Sequence, residues 1–471
     1  MYTPTIGLEV HAELKTKSKM FCGCQNNPHH DEPNTNVCPV CMGHPGTLPV
    51  PNEAAIKSVL MFGTAVDGKL ATYSEFDRKN YFYPDIPKAY QLSQYAFPFV
   101  KGGMLAGVEL TRVHLEEDTA RSQHDKGEGS LVDYSRAGVP LMELVTEPVI
   151  HDAELAGKFA RELQLLLRTI GISDANMEKG EMRVEANISV SNTGTKAKKY
   201  VEVKDLNSFR SVEDAINFEI KRQIAVIEAG GEISQETRGW DENKSETFVQ
   251  RSKETAKDYR YFPDPDIPKF DLAQKSDFDK SVLAEIMPML PEEKRSKYTL
   301  LGLTNSQIEI IIADQNIDLY FSSLLMVMGD NATSALGLAV NYLLTDMVPL
   351  WTNVAATDTV VSPEHFAALM GLLDTRQITS RVAKDLLIEF ALADNDLVAL
   401  VHERGLLTAN NSADLERIIA DVLAGNESVV AEYKGGKTTV IQFLVGQVMK
   451  QTKGASDPLT VREVLERTLQ N

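Results

Sequence analysis

All four cysteines of the chain fall within twenty residues, as Cys22-Gly-Cys24, a thirteen-residue gap and Cys38-Pro-Val-Cys41. No other feature limits the fold so tightly. Two knuckles of two thiolates each suit a tetrahedral zinc ion, which would staple the loop from Cys22 to Cys41 into a fixed unit. No cysteine is left over, and the alternative, two disulfides, belongs to an oxidising compartment. A closed four-thiolate zinc leaves no position for water, so its role is structural. His29, His30 and His44 are near enough in sequence to replace a thiolate ligand.

A second constraint is Asp77 to Tyr95, where two acids, three bases, two prolines, four tyrosines and two glutamines share nineteen residues with no apolar period. Prolines fix the backbone, and Asn, Gln and Tyr offer directional hydrogen bonds, so the segment reads as a rigid polar loop that orients a ligand. Its core, Tyr81-Phe-Tyr-Pro-Asp-Ile-Pro-Lys88, is echoed by Tyr261-Phe-Pro-Asp-Pro-Asp-Ile-Pro-Lys269. Two such loops can meet at one cleft.

With 471 residues, 43% hydrophobic and 24% charged, the chain has the make-up of a soluble globular protein of two to four domains. Nothing resembles a signal peptide and apolar runs such as 336–344 are too short to span a bilayer, so a cytoplasmic location is expected. A net charge of −19 argues against coating nucleic acid by charge alone. From Tyr433 to Asn471, however, six Lys/Arg face three Asp/Glu, a net of +3 that leaves −22 for the rest. Lys434, Lys437, Lys450 and Lys453 are therefore the candidates for nucleic-acid phosphate contacts. Gly436-Lys-Thr438 imitates the end of a phosphate-binding P-loop, but position 431 is Ala where that motif needs glycine.

Residues 5–13 alternate, with Ile6, Leu8, Val10 and Ala12 against Gly7, Glu9, His11 and Glu13, which predicts a strand with one buried and one polar face. Gly107 to Asp118 predicts a strand ending in three acids. Its parity puts Arg112, His114 and Glu116 on one side and Glu117 on the other unless the strand ends there, so the pattern does not choose between Glu116 and Glu117. A further strand before Pro148 places Glu143 and Glu147 on one face. With Glu9 and His11 these acids form a candidate magnesium site, rich in hard oxygen ligands and free of sulfur. Arg183, Glu185, Asn187 and Ser189 share the polar face of a strand that pairs as a hairpin with the one from Val201.

Asp152 to Ile170 predicts an amphipathic helix stopped by Gly171, and Ser211 is expected to cap a second, with Ile216, Ile220, Ile224 and Ile227 buried. Beyond residue 290 helical periods take over. The expected fold is α+β: a zinc-stapled, cradle-like mixed α/β catalytic domain over 1–290, an all-α domain over 291–400 and a small helical tail domain over 401–471. Gly-x-Ser-x-Gly and Walker motifs are absent and the cysteines are committed to metal, so metal-assisted phosphoryl transfer fits best.

Ile6-Gly-Leu-Glu-Val-His11, Phe76-Asp-Arg-Lys-Asn-Tyr-Phe-Tyr-Pro-Asp85, His114-Leu-Glu-Glu-Asp118, Arg136-Ala-Gly-Val-Pro-Leu-Met-Glu143 and Asp258-Tyr-Arg-Tyr-Phe-Pro-Asp264 resemble the B subunits of aspartyl/glutamyl-tRNA(Asn/Gln) amidotransferases. The resemblance covers essentially the whole chain, including Phe443-Leu-Val-Gly-Gln-Val-Met449. It implies an ATP-dependent carbon–nitrogen ligase that binds Glu-tRNA(Gln) or Asp-tRNA(Asn), phosphorylates the side-chain carboxylate with ATP and magnesium, and lets ammonia displace the phosphate. An amidase subunit would supply the ammonia and a small third subunit would brace the complex. By the same resemblance, Glu9, His11, Glu117 and Glu143 form the catalytic cluster, with His11, Glu117 and Glu143 as magnesium ligands and Glu116 and Glu147 as neighbours. Lys79, Arg183 and Arg260 are the ATP-phosphate candidates, and the tail contacts tRNA. Two rivals stand beside this reading: a non-catalytic tRNA-binding scaffold of the same complex, and a stand-alone glutaminase, which lacks an evident nucleophile.

Overall fold

The computed structural model describes residues 2–29, 32–123, 129–192, 199–252, 259–329, 333–351, 360–390, 392–408, 412–452 and 456–470. The chain divides into two compact units, Met1–Pro291 and Glu292–Asn471. In the first, the strands that build the site are β1 (Tyr2–Glu13), β2 (Lys69–Leu70), β3 (Asp77–Asn80), β4 (Tyr90–Ser93), β5 (Val100–Lys101), β6 (Met104–Leu105), β7 (Val108–Glu117), β8 (Pro140–Thr146), β9 (Met182–Asn192), β10 (Val201–Leu206), β11 (Glu236–Asp241), β12 (Glu246–Ser252) and β13 (Phe262–Pro263). Three helices accompany them: α1 (Glu53–Ala65), α2 (Ala153–Thr169) and α3 (Phe209–Glu228).

One ten-stranded sheet runs β12-β11-β10-β9-β1-β8-β7-β5-β2, with β6 beside β7. Its pairings are antiparallel except for β10 with β11. At its centre the alternation read from the sequence becomes two faces. One apolar row crosses five strands as Val184, Val10, Leu144, Val113 and Val100. These side chains join Phe159, Leu163 and Leu167 of α2 and Val59, Leu60 and Phe62 of α1 in one core, where each fully buried aliphatic or aromatic side chain contributes about 1.5–3 kcal/mol. With α1 and α2 packed into the apolar core, the polar face is left to form a cleft.

Asp152, the first residue of the helix expected from the sequence, caps α2 by accepting from the Leu155 amide at 2.7 Å. For α3 the cap is Ser208, whose Oγ accepts from the Ser211 amide at 3.0 Å, three residues before the expected start. The buried stripe moves with it. Val212, Ala215 and Ile216 are covered, whereas Ile224 and Ile227 are only half-buried. Glu219 and Gln223 take the remaining interior positions, because Arg222 donates to Glu219 at 2.7 Å and Gln223 donates to the Ile188 carbonyl at 3.0 Å. Periodicity of apolar residues alone misses a helix face held by charge and hydrogen bonds.

The two similar loops do meet: β13 pairs with β3, and β3 with β4, in a three-stranded sheet. Arg78 donates to the buried Asp264 at 2.6 Å, and the Asn80 amide donates to the Tyr259 carbonyl at 2.9 Å. In the second unit the described residues form helices and no strands. Leu415, Ile419 and Val422 pack with Ile441, Leu444, Val448, Val461 and Leu465 in a core of their own. Among the described residues no single helix is long and apolar enough to cross a membrane.

Candidate active site and metal centres

Sheet register assembles the site. Arg183, His11, Glu143 and His114 occupy one row across β9, β1, β8 and β7. Two residues along on the same face, Glu185 stands opposite Glu9; in the other direction Glu13 and Glu116 flank Leu141. His11 Nε2 lies 3.5 Å from Glu143, 3.6 Å from Glu116 and 3.9 Å from Glu9. His114 Nε2 lies 3.3 Å from Glu143. Residues as far apart in sequence as 9 and 185 thus share one patch.

These groups are crowded and mostly buried. Burial, then the charges of Glu143 and Glu185, push the Glu9 carboxyl up to about 7. For His11, burial opposes the charge, but Glu143, Glu185 and Glu116 outweigh it and hold the imidazolium to about 9. Glu143 feels the same burial, yet His114 and His11 keep it well below the ordinary carboxylate range. His11 Nδ1, His114 Nδ1 and Glu116 Oε2 are buried without hydrogen-bond partners among the described residues. Ligand atoms of Glu9, His11 and Glu143, and of His114, Glu116 and Glu143, lie within 4.8 Å of one another. Clustered oxygens with unspent hydrogen-bonding capacity fit a divalent cation, which would take over the role the His11 proton plays here.

Cations border the acids. Lys79 reaches from β3 to within 3.9 Å of Glu116; burial opposes its charge, but Glu116 and the phenol of Tyr261 hold the ammonium well above its ordinary range. Arg183 clasps Asp118 through both carboxylate oxygens at 3.1 Å, and Lys204 pairs with Glu185 at 2.7 Å. Between them lies an open cleft of about 280 Å³, lined by Glu9, His11, Glu116, Lys79, Arg183 and Lys204 together with Tyr81, Tyr83, Gln91, Asp118, Asn207 and Tyr259.

Glu9, His11, Glu143, Glu116, Lys79 and Arg183 are therefore brought together, and three other candidates are not. β7 continues through Glu117, so strand parity turns Glu117 to the far side, where it meets Lys88 at 2.5 Å and accepts from the Leu92 amide at 2.9 Å. A bulge at Val145/Thr146 and the length of strand beyond Glu143 carry Glu147 off the patch, where Thr111 donates to it at 2.7 Å. Arg260 is exposed, in a left-handed backbone conformation of φ 47°, with its guanidinium 5.8 Å from the Phe82 ring centre. Lys434, Lys437 and Lys450 are exposed on the second unit, Lys437 pairing with Glu432 at 2.8 Å. Lys453 lies outside the described residues. Glu185 shares its polar face with Arg183 as the alternation predicts, while Lys204 and Asp118 are not among the sequence candidates, although the parity of Asp118 with Glu116 points to the same face.

The four cysteines form a second centre. Their sulfurs lie within 4.8 Å of one another, near enough to hold one metal ion, and none is in a disulfide. Hydrogen bonding from Cys22 draws the Cys41 thiol down to about 4, while the same contact pushes Cys22 up and burial pushes Cys24 up to about 11. Four thiolates this close repel one another, so a bound cation is what would let them ionise together.

Residues 4–276 match the family model described as the GatB/GatE catalytic domain, and residues 332–469 match the GatB domain. The chain is 41% identical over 475 residues to the B subunit of the aspartyl/glutamyl-tRNA(Asn/Gln) amidotransferase of Thermus thermophilus, covering 100% of this chain and 99% of the relative. Proteins of the same name from Persephonella marina and Crocosphaera subtropica are 39% and 37% identical, each over 99% of this chain and over 99% and 98% of the relative. The chain belongs to the family of aspartyl/glutamyl-tRNA(Asn/Gln) amidotransferase B subunits.

Proposed function

We propose that this chain is the activating component of a cytoplasmic tRNA-dependent amidotransferase, and so an ATP-dependent carbon–nitrogen ligase. It receives Glu-tRNA(Gln) or Asp-tRNA(Asn), transfers the γ-phosphoryl group of ATP to the side-chain carboxylate, and releases ADP. Ammonia from a separate amidase subunit then attacks the acyl carbon, phosphate leaves, and the amide remains on the tRNA. The assembly is braced by a small third subunit. The observation that carries this reading is the single sheet face on which crowded carboxylates and an imidazole adjoin Lys79, Arg183 and Lys204.

Each group has a task on this reading. Glu9, His11 and Glu143, with Glu116 beside them, would hold magnesium, which would supply charge neutralisation to the phosphates. Lys79 adds a positive charge at the β3 side of the cleft. Arg183 does so at the other end, oriented by its two-oxygen clasp on Asp118. Loose phosphoryl transfer needs positioning and charge more than a covalent partner, which agrees with a face on which acids and cations adjoin. Cys22, Cys24, Cys38 and Cys41 would hold zinc, which would fix the loop between them. The tail lysines Lys434, Lys437, Lys450 and Lys453 meet tRNA phosphates.

Oxygen tracing tests the reaction. With the side-chain carboxylate of tRNA-bound glutamate labelled with oxygen-18, amidation by the reconstituted complex places one label in inorganic phosphate. Unlabelled phosphate contradicts activation through an acyl phosphate. Binding of tRNA with no tRNA-dependent ATP cleavage supports the scaffold reading instead.

A further inference from the structure

The cysteine loop does more than close on itself. Between its two knuckles, His29 reaches the polar face of β1, where its Nε2 lies 2.8 Å from Glu13 Oε2. Its Nδ1 lies 3.1 Å from Arg121 Nη2. A guanidinium only donates, so Nδ1 accepts from Arg121 and the ring proton sits on Nε2, donated to Glu13. That fixes the direction of the relay from Arg121 through His29 to Glu13. The other oxygen of Glu13, Oε1, is buried with no hydrogen-bond partner among the described residues.

Glu13 matters because of where it stands. It lies two residues past His11 on the cleft face, and His11 pairs directly with Arg183, which makes Glu13 a diagonal neighbour of Arg183. Glu13 and Asp118 both act on Arg183 electrostatically. Arg136 also stands 3.6 Å from Asp118. A second tie from the same loop runs through Asn34, whose backbone amide donates to Asp133 at 2.9 Å and whose side chain accepts from the Tyr134 amide at 2.7 Å. Tyr134 in turn donates to the Pro84 carbonyl at 2.8 Å. The loop thus reaches toward the arginine end of the cleft through Glu13 and toward the polar loop beside it through Tyr134.

We propose that His29 is a positioning residue that couples the cysteine loop to the anion-holding end of the cleft, acting through Glu13 to keep Arg183 on Asp118. The inference rests on the reading of the cleft as a nucleotide site. Without the imidazole, Glu13 loses its hydrogen-bond donor and competes with Asp118 for Arg183. A neutral amide at position 13 removes that competition. The coupling is therefore a relation between positions 29 and 13, not a property of the loop alone.

The test is a double-mutant cycle on the full chain loaded with zinc, comparing His29→Ala, Glu13→Gln and the pair. Thermal melting and binding of a non-hydrolysable ATP analogue with magnesium are both measured. His29→Ala is expected to weaken analogue binding roughly tenfold, the scale of one lost charge-assisted hydrogen bond. Addition of Glu13→Gln should recover most of that loss, and the melting temperatures should be non-additive in the same sense. Additive changes in both readouts overturn the proposal. So does loss of bound zinc in His29→Ala, which would make the residue part of the loop's own fold. Failure of the unaltered chain to bind the analogue overturns the nucleotide reading, and the melting cycle still decides the link between His29 and Glu13.

Discussion

The cysteine centre and the acidic cleft are both crowded sets of ionisable groups, but they are assembled in opposite ways. The four sulfurs come from one stretch of twenty residues, so local chain geometry brings them together. The cleft draws on β1, β7, β8 and β9, and strand register alone makes neighbours of His11, Glu143, His114 and Arg183. Local assembly yields a centre whose loss should unfold a loop and little else. Assembly by register yields a surface whose chemistry can fail while the fold stays intact.

The largest expected effect concerns the staple. Zinc removal by a chelator, or Cys38→Ser, should lower the melting temperature by about ten degrees, since a structural zinc contributes folding free energy directly. Calorimetry with and without zinc checks this. An unchanged melting temperature would show that the loop stands without metal and would erase the contrast.

Acidity gives an effect of intermediate size, confined to the cleft. Folding raises the Glu9 carboxyl to about 7 and the His11 imidazolium to about 9. A raised group stabilises the fold fully below its unfolded value and loses that contribution as pH passes its folded value. The magnesium-free chain should therefore lose stability between about pH 4.5 and 9, by a few degrees in melting temperature. Magnesium competes with these protons, so its affinity should rise with pH over the upper part of that range. Magnesium titrations at pH 6 and pH 8.5 test the sign.

The smallest effect is expected at Glu147. It lies off the patch and accepts from Thr111, so Glu147→Gln should change tRNA-dependent ATP cleavage by less than about threefold, the scale of a single modest hydrogen bond. A hundredfold loss would return Glu147 to the cleft and would mean that the bulge after Val145 does not turn it away.

The same contrast explains what was legible in the sequence. Cysteine spacing needs no register, so the second centre could be read from its residues directly. Alternation exposed the polar face of β1, and parity divided Glu116 from Glu117, but only the end point of β7 decides which acid faces the cleft. Glu185 and Lys204 sit on faces that alternation marks, yet their nearness to Glu9 depends on which strand lies beside β1. Arg260 follows a segment outside the described residues and shows no period, so nothing in its sequence placed it. In α3, Glu219 and Gln223 hide a buried face from any count of apolar residues, and the cap at Ser208 instead of Ser211 shifts that face with it.

The central claim is that ATP-driven activation takes place on the sheet face around His11. Its most direct test is ATP cleavage on Glu-tRNA(Gln) by the complex reconstituted with the amidase subunit, comparing the unaltered chain with His11→Ala. His11→Ala should lose at least about a hundredfold in tRNA-dependent cleavage with tRNA binding retained, as expected when a group that stabilises developing charge is removed. Cleavage at the unaltered rate would contradict it and move the activating chemistry away from this face.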